Sequence, residues 1–334
     1  MIAPDKPFKT YDQMLSLLQA RGLVIENKDF AIKSLSFTSY YTLINGYQDS
    51  IIYDKNRELF RPGVTFNDLY ALHILDSSIN HTLLKYILHI EGALKSRVSY
   101  IVSKNHGVWT DIDDSSNINC ADYLFRGNYS ANTGRKNELL RRLKKCVQNP
   151  ETTAYSILHY KMHHNHIPPW ILSTGLCFYQ AIQWSEILNS NDKSYVVNEF
   201  IPFKSLNEME KKEFLRLALE LLRDVRNRIA HGTPLLALKS KYSVPKKQTI
   251  LLSNGIIETG SWKNLYARCG LWPVIAVIFI LLSDLFLKCS FINEFKGIIQ
   301  PYIDQNISIV GFSMPQLFHI PEDILQRLER ALPG

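Results

Sequence analysis

The stretch RNRIAHG, at positions 226–232, brings together two side chains that can handle a phosphate group, Arg226 and His231. Histidine can accept or donate a proton near neutral pH, and a guanidinium can hold phosphate oxygens while negative charge builds up on them. Without a carboxylate cluster for a metal, this pair suits the attack of an RNA 2′-hydroxyl on its neighbouring phosphate. Arg226 and His231 are therefore candidate catalytic residues.

The same stretch also fits the end of a helix that has no catalytic role. A cation in the last turn suits the negative end of the helix dipole, Gly232 suits a left-handed cap, and Pro234 prevents the helix from continuing. An Arg-x4-His spacing is also a weak pattern by itself. The seven residues alone leave both interpretations open.

A helix over residues 205–231 must position this pair. Ser205 and Glu208 are spaced as a capping box at its start. On such a helix Arg226 and His231 lie about 140° apart around the axis. A long arginine side chain or an unwound last turn could close this gap, and so could a second copy of the helix across a two-fold axis. The geometry therefore indicates a composite site. Apolar residues recur along one side of this helix at Leu215, Ala218, Leu222, Val225 and Ile229.

The rest of the chain also shows mainly helical patterns. A helix is predicted from the cap at Thr10 to the stop at Gly22, a long one from Phe66 to about Lys104, and a basic one from Arg135 to Val147. A short hairpin is predicted around LLSNGIIETG, at positions 251–260. We therefore expect an all-α bundle with a minor β element. The long helix carries an apolar stripe of Leu83, Ile87, Ile90, Leu94, Val98 and Ile101.

Composition narrows the class of protein. The chain has 334 residues, 46% of them hydrophobic, and a formal charge of +7, which favours a polyanionic partner such as RNA or DNA. Five widely spaced cysteines without a Cys-x-x-Cys pair indicate a reducing cytoplasm. No signal peptide is expected at the N-terminus. In the segment Gly270–Phe286 only Leu271 to Leu282 is free of polar side chains, and these residues fall short of the roughly 20 needed to span a bilayer. We therefore expect a buried helix and no membrane association.

Two basic segments are candidate RNA-binding surfaces, because lysine and arginine contact phosphates. Solvated basic faces are the alternative interpretation. The candidates are Arg141, Arg142, Lys144 and Lys145 in the basic helix, and Lys246 and Lys247 beyond the RNRIAHG stretch.

Two further groups of polar residues are open to a structural interpretation. The segment LHYKMHHNHIPPW has His159 and His163 at the spacing of helical metal ligands, with His164 and His166 nearby, but no acid or cysteine completes the set. Loop histidines are favoured, and neither a metal nor a cofactor is expected. Glu91 and Lys95 are interpreted as a surface ion pair.

The order of several segments resembles the Abi-like proteins of bacterial abortive infection, including the AbiD and AbiF group, which belong to the HEPN superfamily. The similarity extends from about Thr10 to Leu282, most of the chain. The matching segments are TYDQMLSLLQARGLVI, YYTLINGY, FNDLYALHILDSSINHTLLKYILHIEGALKSRVSYIVS, IPPWILSTGLCFYQ, RDVRNRIAHG and NLYARCGLWPVIAVIFIL.

The resemblance implies a HEPN-like helical bundle that dimerises and cleaves RNA without a metal, leaving a 2′,3′-cyclic phosphate and a 5′-hydroxyl. Arg226 and His231 would be its motif residues, and Asn227 the polar residue that often follows the arginine. A small structured RNA would restrain this toxin. Thr233 stands where some relatives carry a tyrosine that a partner enzyme modifies, so that form of regulation is not expected.

The resemblance also suggests how the chain is organised. We expect an N-terminal extension at 1–65, a HEPN-like core at 66–290 with the basic helix inserted in it, and a C-terminal tail at 291–334. A non-catalytic RNA-binding protein, in which Arg226 and His231 only hold phosphate, is the main alternative. A purely structural helical scaffold is the third.

Overall fold

The computed structural model describes residues 6–47, 51–54, 56–111, 119–130, 134–149, 154–236 and 238–332. This part of the chain is built from α-helices joined by turns, so the predicted all-α class is confirmed. The α-helices are Tyr11–Ala20, Lys28–Phe37, Tyr40–Leu43, Phe66–His106, Gly134–Gln148, Tyr155–His163, Pro169–Leu172, Phe178–Ile187, Ser190–Phe200, Glu208–Ala230, Lys246–Leu252, Tyr266–Cys269, Leu271–Leu281, Leu285–Asp304, Met314–Phe318 and Ile324–Arg330.

Two short antiparallel strand pairs accompany the helices. Ile52–Asp54 pairs with Leu59–Phe60, and Ser308–Ile309 pairs with Phe312–Ser313. The hairpin predicted at 251–260 is wrong, because Leu251 and Leu252 end a helix that begins after Pro245. A turn follows that helix, closed by the Ser253 hydroxyl, which accepts a hydrogen bond from the backbone N–H of Ile257 at 3.2 Å.

The long helix, Phe66–His106, lies at the centre of the fold. Thr65 caps it, with Asp68 completing a capping box, and all six residues of its predicted apolar stripe are buried. Because one face carries apolar residues over the whole length, the long helix can pack against several other helices of the chain. It packs against helices Pro169–Leu172, Phe178–Ile187, Ser190–Phe200, Glu208–Ala230, Leu271–Leu281 and Leu285–Asp304.

The motif helix, Glu208–Ala230, carries the RNRIAHG stretch at its C-terminal end. Its N-cap is Asn207, whose side chain accepts from the N–H of Glu210 at 2.9 Å, so the predicted Ser205–Glu208 box is wrong by two residues. Both pairs have the spacing of a capping box. Leu206, which a helix capped by Ser205 would include in its first turn, is instead a buried residue just before the cap.

The buried helix, Leu271–Leu281, has every residue inside the protein, as its composition predicts. Pro273 does not break it, because Gly270 is the N-cap and Pro273 lies in the first turn, where no intrahelical N–H bond is lost. Within the described ranges, no helix combines the length and the apolar character that crossing a bilayer requires.

The hydrophobic core is a single cluster that runs from Leu15 to Ala331. It includes residues from all three predicted segments, 1–65, 66–290 and 291–334. The helix Leu285–Asp304 crosses the boundary drawn at residue 290. The N-terminal segment therefore packs on the same core that positions the motif helix.

Candidate functional site

His231 lies at the C-terminal cap of the motif helix, where two hydrogen bonds define its backbone. Gly232 has a φ of +67°, and its N–H bonds to the carbonyl of Ile229 at 2.9 Å. The N–H of Thr233 bonds to the carbonyl of Arg228, also at 2.9 Å. This pair of bonds is a Schellman motif, which needs the left-handed residue that glycine supplies. The helix end predicted at Gly232 is thus confirmed, and His231 is exposed there.

His231 faces a cleft of about 360 Å³, which we call the histidine cleft. The lining carries positive charge from Arg228 and no negative charge, because no Asp or Glu is found among its described lining residues. Hydroxyl groups and a guanidinium accompany the imidazole, and such donors together favour an anionic ligand. The lining residues are Tyr41, Thr42, Asn45, Gly46, Tyr47, Arg228, His231, Gly232, Thr233, Pro234, Leu236 and Leu238.

Arg226 is not among the residues that line the histidine cleft. Its side chain is half-buried, with Nη1 at 3.4 Å from the Asn227 amide oxygen and a buried Nε that has no hydrogen-bond partner among the described atoms. Within one chain, the structure therefore does not bring Arg226 into the cleft of His231.

Arg228 is the arginine that shares the cleft with His231, and sequence reasoning missed it. The signal was available, because residues three apart on a helix are neighbours. Arg228 Nε donates to Asp224 Oδ2 at 3.2 Å. The same carboxylate oxygen accepts from the Ser240 hydroxyl at 2.7 Å, so Asp224 ties the motif helix to the segment that follows it.

Asp76, on the long helix, forms hydrogen bonds to both segments that line the histidine cleft. Its carboxylate accepts from the Leu235 N–H at 3.1 Å, from the Tyr47 hydroxyl at 3.3 Å and from Asn80 Nδ2 at 3.0 Å. Burial raises the pKa of Asp76 to about 6, although these three donors oppose the shift. Asp76 therefore joins both cleft-forming segments to the core.

The walls of the cleft meet at Gly46. A Cβ at this position would lie 2.8 Å from Pro234 Cγ, closer than such atoms approach in real structures. Only glycine lets the two segments come this near. Residues 41–47 and 228–236 therefore form one continuous surface around His231.

The basic helix, Gly134–Gln148, only partly matches its predicted RNA-binding role. Arg141 and Lys145 are exposed, and Arg142 is exposed but paired with Glu138. Lys144 is 4% exposed, with Nζ 2.7 Å from the buried Asp122 carboxylate. Its assignment as a surface phosphate contact is wrong, because in this fold it is one half of an interior ion pair. The side chain of Arg135 lies outside the described residues.

The second basic segment is exposed at Lys246 and Lys247. Lys247 forms an ion pair with Glu210, in the first turn of the motif helix, so its charge is partly compensated. Both residues start the short helix Lys246–Leu252. Their contact with RNA stays a prediction.

The histidines at 159 and 163 and the Glu91–Lys95 pair both lie on helices of the fold. His159 and His163 lie with ring centroids 4.6 Å apart and ring planes tilted by 45°. The described residues contain no group of three or more His, Cys, Asp or Glu side chains that could hold a metal ion. The Glu91–Lys95 pair forms at 2.7 Å, but it is not at the surface. Glu91 is only 7% exposed, because the long helix is covered there by other helices.

The described part of the chain is thus an all-α protein whose motif helix ends at a cleft lined by Arg228 and His231. Residues 33–237 match the family of Abi-like proteins. Because the match covers more than half of the 334 residues, the chain belongs to that family. The matched region includes the long helix, the motif helix and most of the residues that line the histidine cleft. No curated protein and no solved structure matches the chain significantly.

Proposed function

We propose that this protein is an RNA-binding, HEPN-type ribonuclease that acts as a toxin in abortive infection, as its family membership suggests. One observation carries the proposal: His231 is exposed in a cleft that holds cationic and hydroxyl groups, with no acid among its described lining. Such a cleft attracts a phosphate and leaves the imidazole free to transfer a proton. RNA supplies both the phosphate and the 2′-hydroxyl that attacks it.

His231 would transfer the proton, and Arg226 would hold the phosphate oxygens in the transition state. Asn227 would orient Arg226, whose Nη1 it already contacts at 3.4 Å. Since Arg226 is not in the cleft of its own His231, we propose that a second copy of the chain completes the site. Arg228 would hold the phosphate of the RNA within each chain.

The test of this chemistry is cleavage of end-labelled RNA in the presence of a chelator. His231→Ala should lower the cleavage rate by about 10²- to 10⁴-fold, the usual contribution of a general acid or base, and should change RNA affinity only a few-fold. His163→Ala is the matched control, since His163 is also exposed at the C-terminal end of a helix. Products should end in a 2′,3′-cyclic phosphate. Cleavage that persists in His231→Ala would contradict the proposed role.

A mixing experiment tests the homodimer. Arg226→Ala and His231→Ala chains, each inactive alone, should recover cleavage when subunits exchange, because the mixed dimer keeps one intact arginine and one intact histidine. Mass measurement in solution accompanies the mixing. Full activity from a chain that stays monomeric would exclude a composite site.

The second candidate is a non-catalytic RNA-binding protein. The position of Arg226 outside the histidine cleft favours it, because a single chain then presents a phosphate site without the complete pair. RNA affinity without cleavage at any protein concentration would select this alternative. In both cases the bound RNA would include a small structured regulator, and sequencing RNA from the purified protein tests that partner.

A further inference from the structure

A second cleft adjoins the histidine cleft and is larger, with a volume of about 540 Å³. We call it the N-terminal cleft, because the segment before the first helix forms one of its walls. Tyr41 and Asn45 line both clefts, so the two clefts are neighbours that meet at these residues. A chain-like ligand that passes these two side chains would reach both clefts.

The N-terminal cleft has an apolar interior. Its size falls within the range of about 300–1,000 Å³ typical of small-molecule sites. Flat and aliphatic walls of this kind suit a planar, aromatic ligand. The apolar lining comes from Phe8, Met14, Leu17, Ile44 and Ile52.

The charged residues that line this cleft are three cations, Lys6, Lys9 and Arg21, and one acid, Glu58. Arg21 is compensated, since it pairs with Glu58 and donates to the Tyr40 hydroxyl at 3.3 Å. Lys6 and Lys9 are exposed, and neither forms an ion pair with a described carboxylate. An apolar interior with uncompensated lysines at its edge matches a ligand that has a flat apolar body and an attached anion, which is the chemistry of a nucleotide.

Tyr41 occupies the boundary between the clefts with its ring turned to solvent. It is 74% exposed, although it belongs to a helix that Ser39 caps at its first turn. Large exposed aromatic rings are the usual stacking platforms for unpaired bases, and they accept any base because every base has a π-face. Tyr41 thus lies where a base next to the phosphate at His231 would have to pass.

We propose that the N-terminal cleft is a nucleobase subsite: it receives an unpaired base of the same RNA strand whose phosphate lies at His231, with Tyr41 as the stacking platform. The proposal rests on the proposed function, because it takes RNA as the ligand of the histidine cleft. It adds that the substrate is single-stranded at the bound position. A base held in a duplex cannot leave its partner to enter the cleft without losing its pairing.

Binding of a non-cleavable RNA tests the subsite separately from catalysis. A fluorescent single-stranded 2′-O-methyl oligonucleotide is titrated with wild-type protein and variants, and anisotropy gives the dissociation constant. Tyr41→Ala should weaken binding about 10-fold, within the range that stacking on an aromatic side chain contributes. Tyr41→Phe keeps the ring and should stay within about 2-fold of wild type. Tyr155→Ala is the control, because Tyr155 is 83% exposed and lines neither cleft.

The same oligonucleotide annealed to its complement provides the second arm. Affinity for this duplex should not change in Tyr41→Ala, because no unpaired base is available. Equal binding of single strands by wild type and Tyr41→Ala would overturn the subsite, and so would an equal loss for single strand and duplex. Thermal unfolding of each variant confirms that the fold is intact.

Crosslinking locates the base directly. An oligonucleotide with one 4-thiouridine is irradiated on the protein, and the crosslinked peptide is identified by mass spectrometry. Attachment within residues 6–17 or 40–47 is expected, and attachment only elsewhere would contradict the proposal. These outcomes are independent of cleavage, so a His231→Ala protein that still cuts RNA would reject the proposed catalysis and leave the subsite standing.

Discussion

The basic helix and the C-terminal end of the motif helix differ in how their positive charge is used. The basic helix has six basic residues in 15 positions, but Lys144 is paired with Asp122 inside the protein and Arg142 is paired with Glu138. Lys136 donates to the carbonyl of Arg126 at 3.2 Å. The histidine cleft has only Arg228 and His231, and although Arg228 is paired with Asp224, no acid is among the lining residues described. The comparison shows that the number of cations in a segment does not measure the charge it offers to a ligand.

The largest expected effect concerns the interior pair of the basic helix. Lys144→Ala leaves the Asp122 carboxylate buried without its cation, and removing one partner of a buried pair costs about 3–5 kcal/mol. Lys145→Ala, on the exposed side of the same helix, should change the free energy of unfolding by less than about 0.5 kcal/mol. Denaturant unfolding of both variants measures the contrast. Similar stabilities for the two would mean that Lys144 is as available to ligands as its neighbour.

The second effect is a pH dependence that originates at the cleft. Because burial raises the pKa of Asp76 to about 6 from 3.8, the folded chain binds its proton more tightly than the unfolded chain does. Between about pH 4 and pH 6, the free energy of unfolding should therefore fall as the pH rises, by at most roughly 3 kcal/mol from this group. Asp76→Asn removes the titration. The difference between wild type and Asp76→Asn, followed by thermal unfolding across this range, isolates the contribution of Asp76, and a pH-independent difference would contradict it.

The third effect tests the close contact between the cleft walls. Gly46→Ala places a methyl group against Pro234, and overpacking of this kind costs about 1–3 kcal/mol. Gly92→Ala is the matched control, since Gly92 lies in the long helix and a Cβ there would meet no described atom of another element within 4 Å. Alanine there should stabilise the protein by roughly 0.5–1 kcal/mol. Equal changes in the free energy of unfolding at both glycines would show that the cleft walls can move apart without a loss of stability.

The smallest effect concerns the exposed cations of the basic helix. If Arg141 and Lys145 contact phosphates, replacing both with alanine should lower the slope of log affinity against log salt by roughly 0.7–0.9 for each contact. Lys28→Ala is the control, because Lys28 is exposed and already paired with Asp12 at 2.7 Å. RNA titrations at several salt concentrations give the slopes. An unchanged slope would assign this surface to solvation alone.

Periodicity was sufficient to predict the major helices. The long helix, the motif helix and the buried helix each follow from apolar spacing or composition, which act locally. The Asn254-Gly255 pair misled the prediction of a hairpin, since a local turn signal does not show whether a helix or a strand precedes it. The helix start at Asn207 also required knowing that Leu206 is buried.

The site was predictable only in part. Arg226 and His231 follow from a spacing, and Arg228 could have been found from its helical distance to His231. Lys144 lies four residues after Leu140 and three before Val147, on the apolar face of its helix, so its burial was visible in the pattern. Its partner Asp122 was not visible, because the contact depends on how distant segments pack.

The histidine cleft depends on parts of the chain that are synthesised far apart in time. The hydrogen bond from Leu235 to Asp76 joins residues 159 positions apart, and the cleft walls come from residues 41–47, 228–236 and Leu238. Chains emerge from the ribosome N-terminal end first, so a nascent chain that has not reached Arg228 contains only the first of these two walls. An abandoned translation product that ends before residue 231 lacks the histidine as well. The lining of the cleft is therefore complete only after Leu238 has been synthesised, so ligand binding there cannot precede the synthesis of both walls.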